Sequence, residues 1–115
     1  MTTSKKQAVV TGASRGIGRC LVQSLVKEGY EVWALARAAD ALEALARELG
    51  SAVKPLALDV ADEAAVVAAA QRIRESGAPR VLVNNAGITV SAPLHRTSTA
   101  DFHKVMAVNV TAPFL

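Results

Sequence analysis

The segment Thr11-Gly12-Ala13-Ser14-Arg15-Gly16-Ile17-Gly18 lies between an apolar run, Gln7 to Val10, and a stretch of helical periodicity. That placement suits a cradle for phosphate. Glycines let backbone N–H groups approach an anion with no Cβ in the way, and a helix starting there presents its positive end. Glycines alone would fit a flexible turn; the flanking strand and helix favour dinucleotide binding.

A loop of this kind is commonly followed, about twenty residues on, by a carboxylate that accepts from ribose hydroxyls. Here Leu35-Ala36-Arg37 offers none. Arg37 stands where a 2′-phosphate would lie, and Arg15 approaches it from within the glycine loop. Two guanidinium groups around one phosphate favour NADP(H) over NAD(H), through charge-assisted and often bidentate hydrogen bonds. The competing reading makes both arginines solvated surface residues. Asp59, before Val60, is placed to accept from an adenine amino group; its alternative role, an N-cap, falls better to Asp62. Asn84-Asn85-Ala86-Gly87 lets the backbone pass close to a ribose, with an Asn to tie neighbouring strand ends, although a plain turn would read the same.

These groups need elements to carry them. Strands are predicted at Gln7–Thr11, Glu31–Ala36, Ala52–Leu58 and Arg80–Asn84. Pro55 places the third at or near a sheet edge. Helices are predicted from Gly16 to Glu28, with Ile17, Leu21, Leu25 and Val26 on one face, and from Asp40 to Leu49, with Asp40 and Glu43 at capping-box spacing. A third runs from an Asp62 cap to near Gly77, and a last one starts at Thr99 or Ala100. Connections too long for hairpins make the sheet parallel with right-handed crossovers. The fold class is therefore α/β: a Rossmann-type doubly wound parallel sheet, truncated after the fourth strand and its following helix. Residues 1–115 form one domain. All four motifs then fall at the carboxyl ends of strands, where such sheets bind ligands.

Composition narrows the function further. Apolar residues make up 51% and aromatics 3%, a core of Ala, Val, Leu and Ile that suits helices packed on a parallel sheet. The net charge of +3 comes from scattered basic residues without interleaved aromatics, which argues against nucleic acid and for a few phosphates. Cys20 is the one cysteine; it forms no internal disulfide, fits a reducing cytoplasm, and is expected to be buried in the first helix. Neither a signal peptide nor a membrane span is expected, and no metal-ligand spacing is present. His95 and His103 read as ordinary surface or half-buried residues.

The Thr11–Gly18 loop, Asp59-Val60, Asn84–Gly87 and Asn109 in Val108-Asn109-Val110 together resemble the short-chain dehydrogenase/reductase family, over Lys6 to Leu115. The glycine spacing resembles its single-domain branch, and the chain is most similar to 3-oxoacyl-[acyl-carrier-protein] reductases and related carbonyl reductases. The resemblance implies that Gly12, Ser14, Arg15, Gly16, Ile17 and Gly18 hold the pyrophosphate and ribose of NADP. It further implies Arg37 at the 2′-phosphate, Asp59 and Val60 at adenine, and Asn85, Ala86 and Gly87 near the coenzyme ribose. Asn109 matches the family's catalytic Asn, in a helix whose distortion frees a carbonyl for a relay water; a surface polar residue or a structural kink are its alternatives.

The family's catalytic Ser and Tyr-x-x-x-Lys have no match. Tyr30 is the lone tyrosine, and Ala34 stands four positions on. Hydride transfer to a carbonyl needs a proton for the developing alkoxide, so negligible reductase activity is expected of these residues alone. The fourth strand is expected to be an exposed apolar edge, leaving the 115 residues marginal or sticky. The leading expectation is an NADP-dependent oxidoreductase for a small carbonyl substrate, homo-oligomeric in its full-length form. A non-catalytic dinucleotide-binding module and an interaction fragment are the alternatives. The Ile88–Ser98 segment would border the substrate without naming it.

Overall fold

Four apolar runs pair side by side in a parallel sheet: β1 (Gln7–Thr11), β2 (Glu31–Ala36), β3 (Val53–Ala57) and β4 (Val81–Val83). The computed structural model describes residues 6–88 and 93–114. Strand order is β3-β2-β1-β4, with Val10 opposite both Ala34 and Val83 and Ala34 opposite Pro55. Pro55 sits on an edge strand, where its missing N–H leaves no central ladder broken. The chain leaves β1 towards β2 and β3, then returns to pair β4 on the other side. The carboxyl ends of β1 and β4 therefore flank a topological switch point, the usual crevice of doubly wound sheets.

Helices α1 (Gly16–Lys27) and α2 (Ala39–Leu49) cover one face, and α3 (Glu63–Glu75) covers the other. Period-two alternation sorts the strand residues between them. Ala8, Val10, Val32 and Ala34 pack with Val22, Leu42 and Leu45, whereas Val9, Trp33 and Leu35 pack with Ile73. Every residue of β1 is buried, as a strand covered on both faces requires.

On the α3 face Trp33 is fixed from several sides. Its Nε1 donates to Gln7 Oε1 at 3.1 Å, and Gln7 Nε2 donates to the Ser76 carbonyl at 2.6 Å. Lys54 Nζ and Arg72 Cζ lie 5.0 and 5.9 Å from the ring centroid, within cation–π range. Lys54 also pairs with Glu31 at 2.9 Å, and Arg19 of α1 pairs with Glu48 of α2.

The last helix begins as α4 (Thr99–Met106), capped by Ser98, whose side chain accepts from the Asp101 amide. It then widens into a π-helical segment, Ala107–Thr111, and closes with a short turn, α5 (Ala112–Phe114). No helix among the described residues is long and apolar enough to cross a membrane.

Element ends shift by a residue or two from expectation, and three local readings change. Asp40 and Glu43 form no capping box: α2 starts from Ala38 without a side-chain cap, and Asp40 lies inside the first turn, where its charge suits the helix dipole. Cys20 is exposed. The inner face of α1 is set by Gly18 and Val22, four residues apart, which turns Cys20 to the opposite side. Ile17, expected inward, is 73% exposed for the same reason. By contrast, Asp62 caps α3 as read, its Oδ1 accepting from the Ala65 amide at 3.2 Å. β4 is an edge strand with Leu82 60% exposed. His95 and His103 are both exposed. Met1 to Lys5, Thr89 to Ala92 and Leu115 lie outside the described residues, and with them part of the Ile88–Ser98 segment expected to border the substrate.

Candidate functional site

Thr11 ends β1 with its hydroxyl turned towards β4. Its Oγ1 accepts from the Asn85 and Ala86 amides, both at 3.0 Å, and lies 3.4 Å from the Val83 carbonyl. Asn85 Nδ2 donates to the Gly12 carbonyl at 3.1 Å, the strand-end tie expected of an Asn here. These bonds lock the β4 exit onto the glycine loop. Backbone donors that leave a short edge strand thereby find partners without a further strand.

The loop is shaped by close approach. Gly12 has φ +63°, and a Cβ there would stand 3.0 Å from Ala86 Cα. At Gly18 a Cβ would meet the Gly12 carbonyl oxygen at 2.1 Å, so α1 is packed against its own entry loop and no larger residue fits. Gly16 differs: with φ +60° its Cβ position faces open space, with nothing within 4 Å. The first turn of α1 has no side-chain cap from Arg15, unlike α3 and α4. Its first amide groups have no partner within the helix and no side-chain cap, which is what an anion site at a helix start requires. The residues present therefore fit a dinucleotide's diphosphate.

A cavity of about 760 Å³ opens at this switch point. Gly12, Ser14, Arg15 and Gly16 form its floor; Arg37 comes from the end of β2, Asp59 and Val60 from the end of β3, and Asn85, Ala86 and Gly87 from the end of β4. Ten of the twelve expected binding residues thus share one cavity. Ile17 and Gly18 do not line it: Ile17 faces solvent, and Gly18 serves the packing of helix on loop. Asp59 forms a local turn in which Oδ1 accepts from the Ala61 amide at 2.9 Å, leaving Oδ2 for a ligand donor.

Charge in the cavity is uneven. Arg15, Arg37 and Lys104 line it against the single carboxylate of Asp59. The ion pairs among the described residues involve Arg19, Glu48, Lys54 and Glu31, so none of the three cavity cations is neutralised by a carboxylate within 4.0 Å. Lys104, Ala107 and Val108 extend the cavity wall from the last helix and were not found from motif spacing. Their position depends on where that helix crosses the strand ends, which no local pattern encodes.

Asn109 stands at the middle of the π-helical segment, outside the cavity lining. Its Oδ1 accepts from the Ile88 amide at 2.9 Å and its Nδ2 donates to the Ile88 carbonyl at 2.8 Å. The side chain thus pairs with one residue of backbone as a neighbouring strand would. Through this bond the last helix is held to the loop that leaves β4.

The family model for short chain dehydrogenases matches residues 6–115, and the chain belongs to that family. It is 42% identical over 103 residues to a probable NADP-dependent dehydrogenase of Dichelobacter nodosus, covering 88% of this chain and 97% of that one. A metagenomic short-chain oxidoreductase solved in complex with NADP superposes with a TM-score of 0.90 at 38% identity, over 95% of this chain and 52% of that one. The 3-ketoacyl-(acyl-carrier-protein) reductase of Brucella melitensis, solved with NADH, gives 0.91 at 32% identity, over 96% and 46%. The chain spans about half the length of these solved proteins and of the curated 3-oxoacyl reductases it matches.

Proposed function

We propose that the chain is the NADP(H)-binding part of an oxidoreductase that reduces a ketone or a 3-oxoacyl thioester. One observation carries the reading: Arg15 and Arg37 enter the same cavity without carboxylate partners, beside a β2 end that bears no acid. An aspartate at that end would repel a 2′-phosphate, whereas a guanidinium binds it. The bound coenzyme would supply the hydride. The first-turn amides of α1, with Ser14, hold its diphosphate; Asp59 and Val60 border adenine; Asn85, Ala86 and Gly87 lie along the ribose. Asn109 acts as a positioning residue, fixing Ile88 through two hydrogen bonds while the π-helical widening turns backbone carbonyls out of the α-helical pattern for a relay water.

Proton donation has no agent among these residues. Tyr30 precedes β2 and lies at the amino edge of the sheet, a strand length of roughly 20 Å from the cavity. The 115 residues alone therefore bind coenzyme without measurable turnover. A second reading, a unit that holds coenzyme or docks to another chain, draws on the exposed Leu82 of edge strand β4. Calorimetric titration with NADPH and NADH tests the main reading: tighter binding of NADPH supports it, and equal affinity or a preference for NADH refutes it.

A further inference from the structure

The three cavity cations are not equivalent in position. Arg37 rises from the end of β2 and Arg15 from the loop after β1, whereas Lys104 belongs to the last helix, which Asn109 ties to Ile88 after β4. In the order β3-β2-β1-β4 the ends of β2 and β4 are two strand spacings apart, about 10 Å. Arg37 and the helix that carries Lys104 thus approach the cavity from strand ends on opposite sides of β1. Between β2 and β4 lies β1, and from it leaves the glycine loop with the open Gly16 position and the uncapped start of α1.

We infer that Lys104 is a third cationic ligand of the dinucleotide, acting on its diphosphate and not on the 2′-phosphate. The inference rests on the coenzyme reading above and adds a residue to it. Three features support the assignment. Lys104 lines the cavity together with Ala107 and Val108, one turn further along the same helix face. It has no carboxylate within 4.0 Å among the described residues, so its charge is not spent locally. Its helix is anchored to the β4 loop by the two Asn109–Ile88 bonds, which fixes the backbone from which the side chain projects. An ammonium on a flexible stem acts as a point charge, suited to a diphosphate whose oxygens already meet backbone amides. Discrimination between the two coenzymes then resides with Arg15 and Arg37, and overall grip is shared with Lys104.

Calorimetry on the purified protein with Lys104→Met, Lys104→Arg and Arg37→Asp separates these roles. The expected result is that Lys104→Met weakens NADPH and NADH by the same factor, about tenfold, and lowers the salt dependence of both. Lys104→Arg should restore most of the loss, and Arg37→Asp should weaken NADPH alone. Because Lys104 is exposed, the melting temperature of Lys104→Met should match wild type. Unchanged affinity in Lys104→Met, or loss confined to NADPH, overturns the assignment while leaving the coenzyme reading intact. A wild-type protein that binds neither dinucleotide overturns both.

Discussion

Thr11 and Asn85 are 74 positions apart, yet the Thr11 hydroxyl and the Asn85 amide meet at 3.0 Å and join the two strand ends that frame the cavity. The same hydroxyl takes the Ala86 amide, so one oxygen satisfies two backbone donors. Thr11→Val keeps the shape and deletes that acceptor, leaving both amides without it. A loss of about 2–4 kcal/mol in urea unfolding is expected, with Thr11→Ser retaining most of the stability. Equal stability of the Val and Ser variants would show that the hydroxyl does not close the site.

Arg37→Asp should invert coenzyme preference. Replacing a charge-assisted partner by a like charge should cost NADPH roughly 10- to 100-fold in affinity and leave NADH within a few-fold of its wild-type value. Parallel titrations of variant and wild type read this directly.

Gly16→Ala and Gly18→Ala should fail for different reasons. At Gly18 the added methyl meets a carbonyl oxygen at 2.1 Å, so helix and loop must separate, and a loss of about 1–3 kcal/mol with impaired coenzyme binding is expected. At Gly16 the methyl meets nothing, and the cost is the left-handed backbone, about 1–2 kcal/mol. Thermal melts and binding measured on both variants would distinguish collision from backbone strain.

Asn109→Ala removes both bonds to Ile88. Hydrogen–deuterium exchange at the Ile88 amide should accelerate, and that of the β1 amides should not. Asn109→Asp keeps the acceptor and loses the donor, so its Ile88 amide should stay closer to wild-type protection.

Leu82→Lys should reduce self-association. The side chain is 60% exposed on an edge strand, so the charge disturbs little packing and discourages pairing of edges. Light scattering at rising concentration should show a smaller apparent mass than wild type if edge pairing occurs.

The parts of this molecule that were legible in its sequence are those encoded locally. Strand residues buried on two faces read as apolar runs, Pro55 declared an edge, and Asp62 declared a helix start. The glycine loop was legible because turn, strand and helix lie in one stretch. What escaped depends on rotation and crossing of elements. The side of α1 that carries Cys20 follows from the Gly18–Gly12 contact, which spacing alone did not reveal. Lys104 lines the cavity from a helix tied to Ile88 by Asn109, a contact 21 residues apart in sequence. The pair of hydrogen bonds from Asn109 to a single backbone residue was hidden for the same reason: its partner is chosen by tertiary placement.

The chain has one tryptophan, and Trp33 is held by Gln7 and flanked by Lys54 and Arg72 on the sheet face away from α1 and α2. Its intrinsic emission is therefore a label-free optical gauge of whether β1, β2 and β3 remain assembled. That signal arises from the layer beneath the crevice, so a variant that dims it has lost its scaffold, and one that leaves it bright has been altered only at the rim.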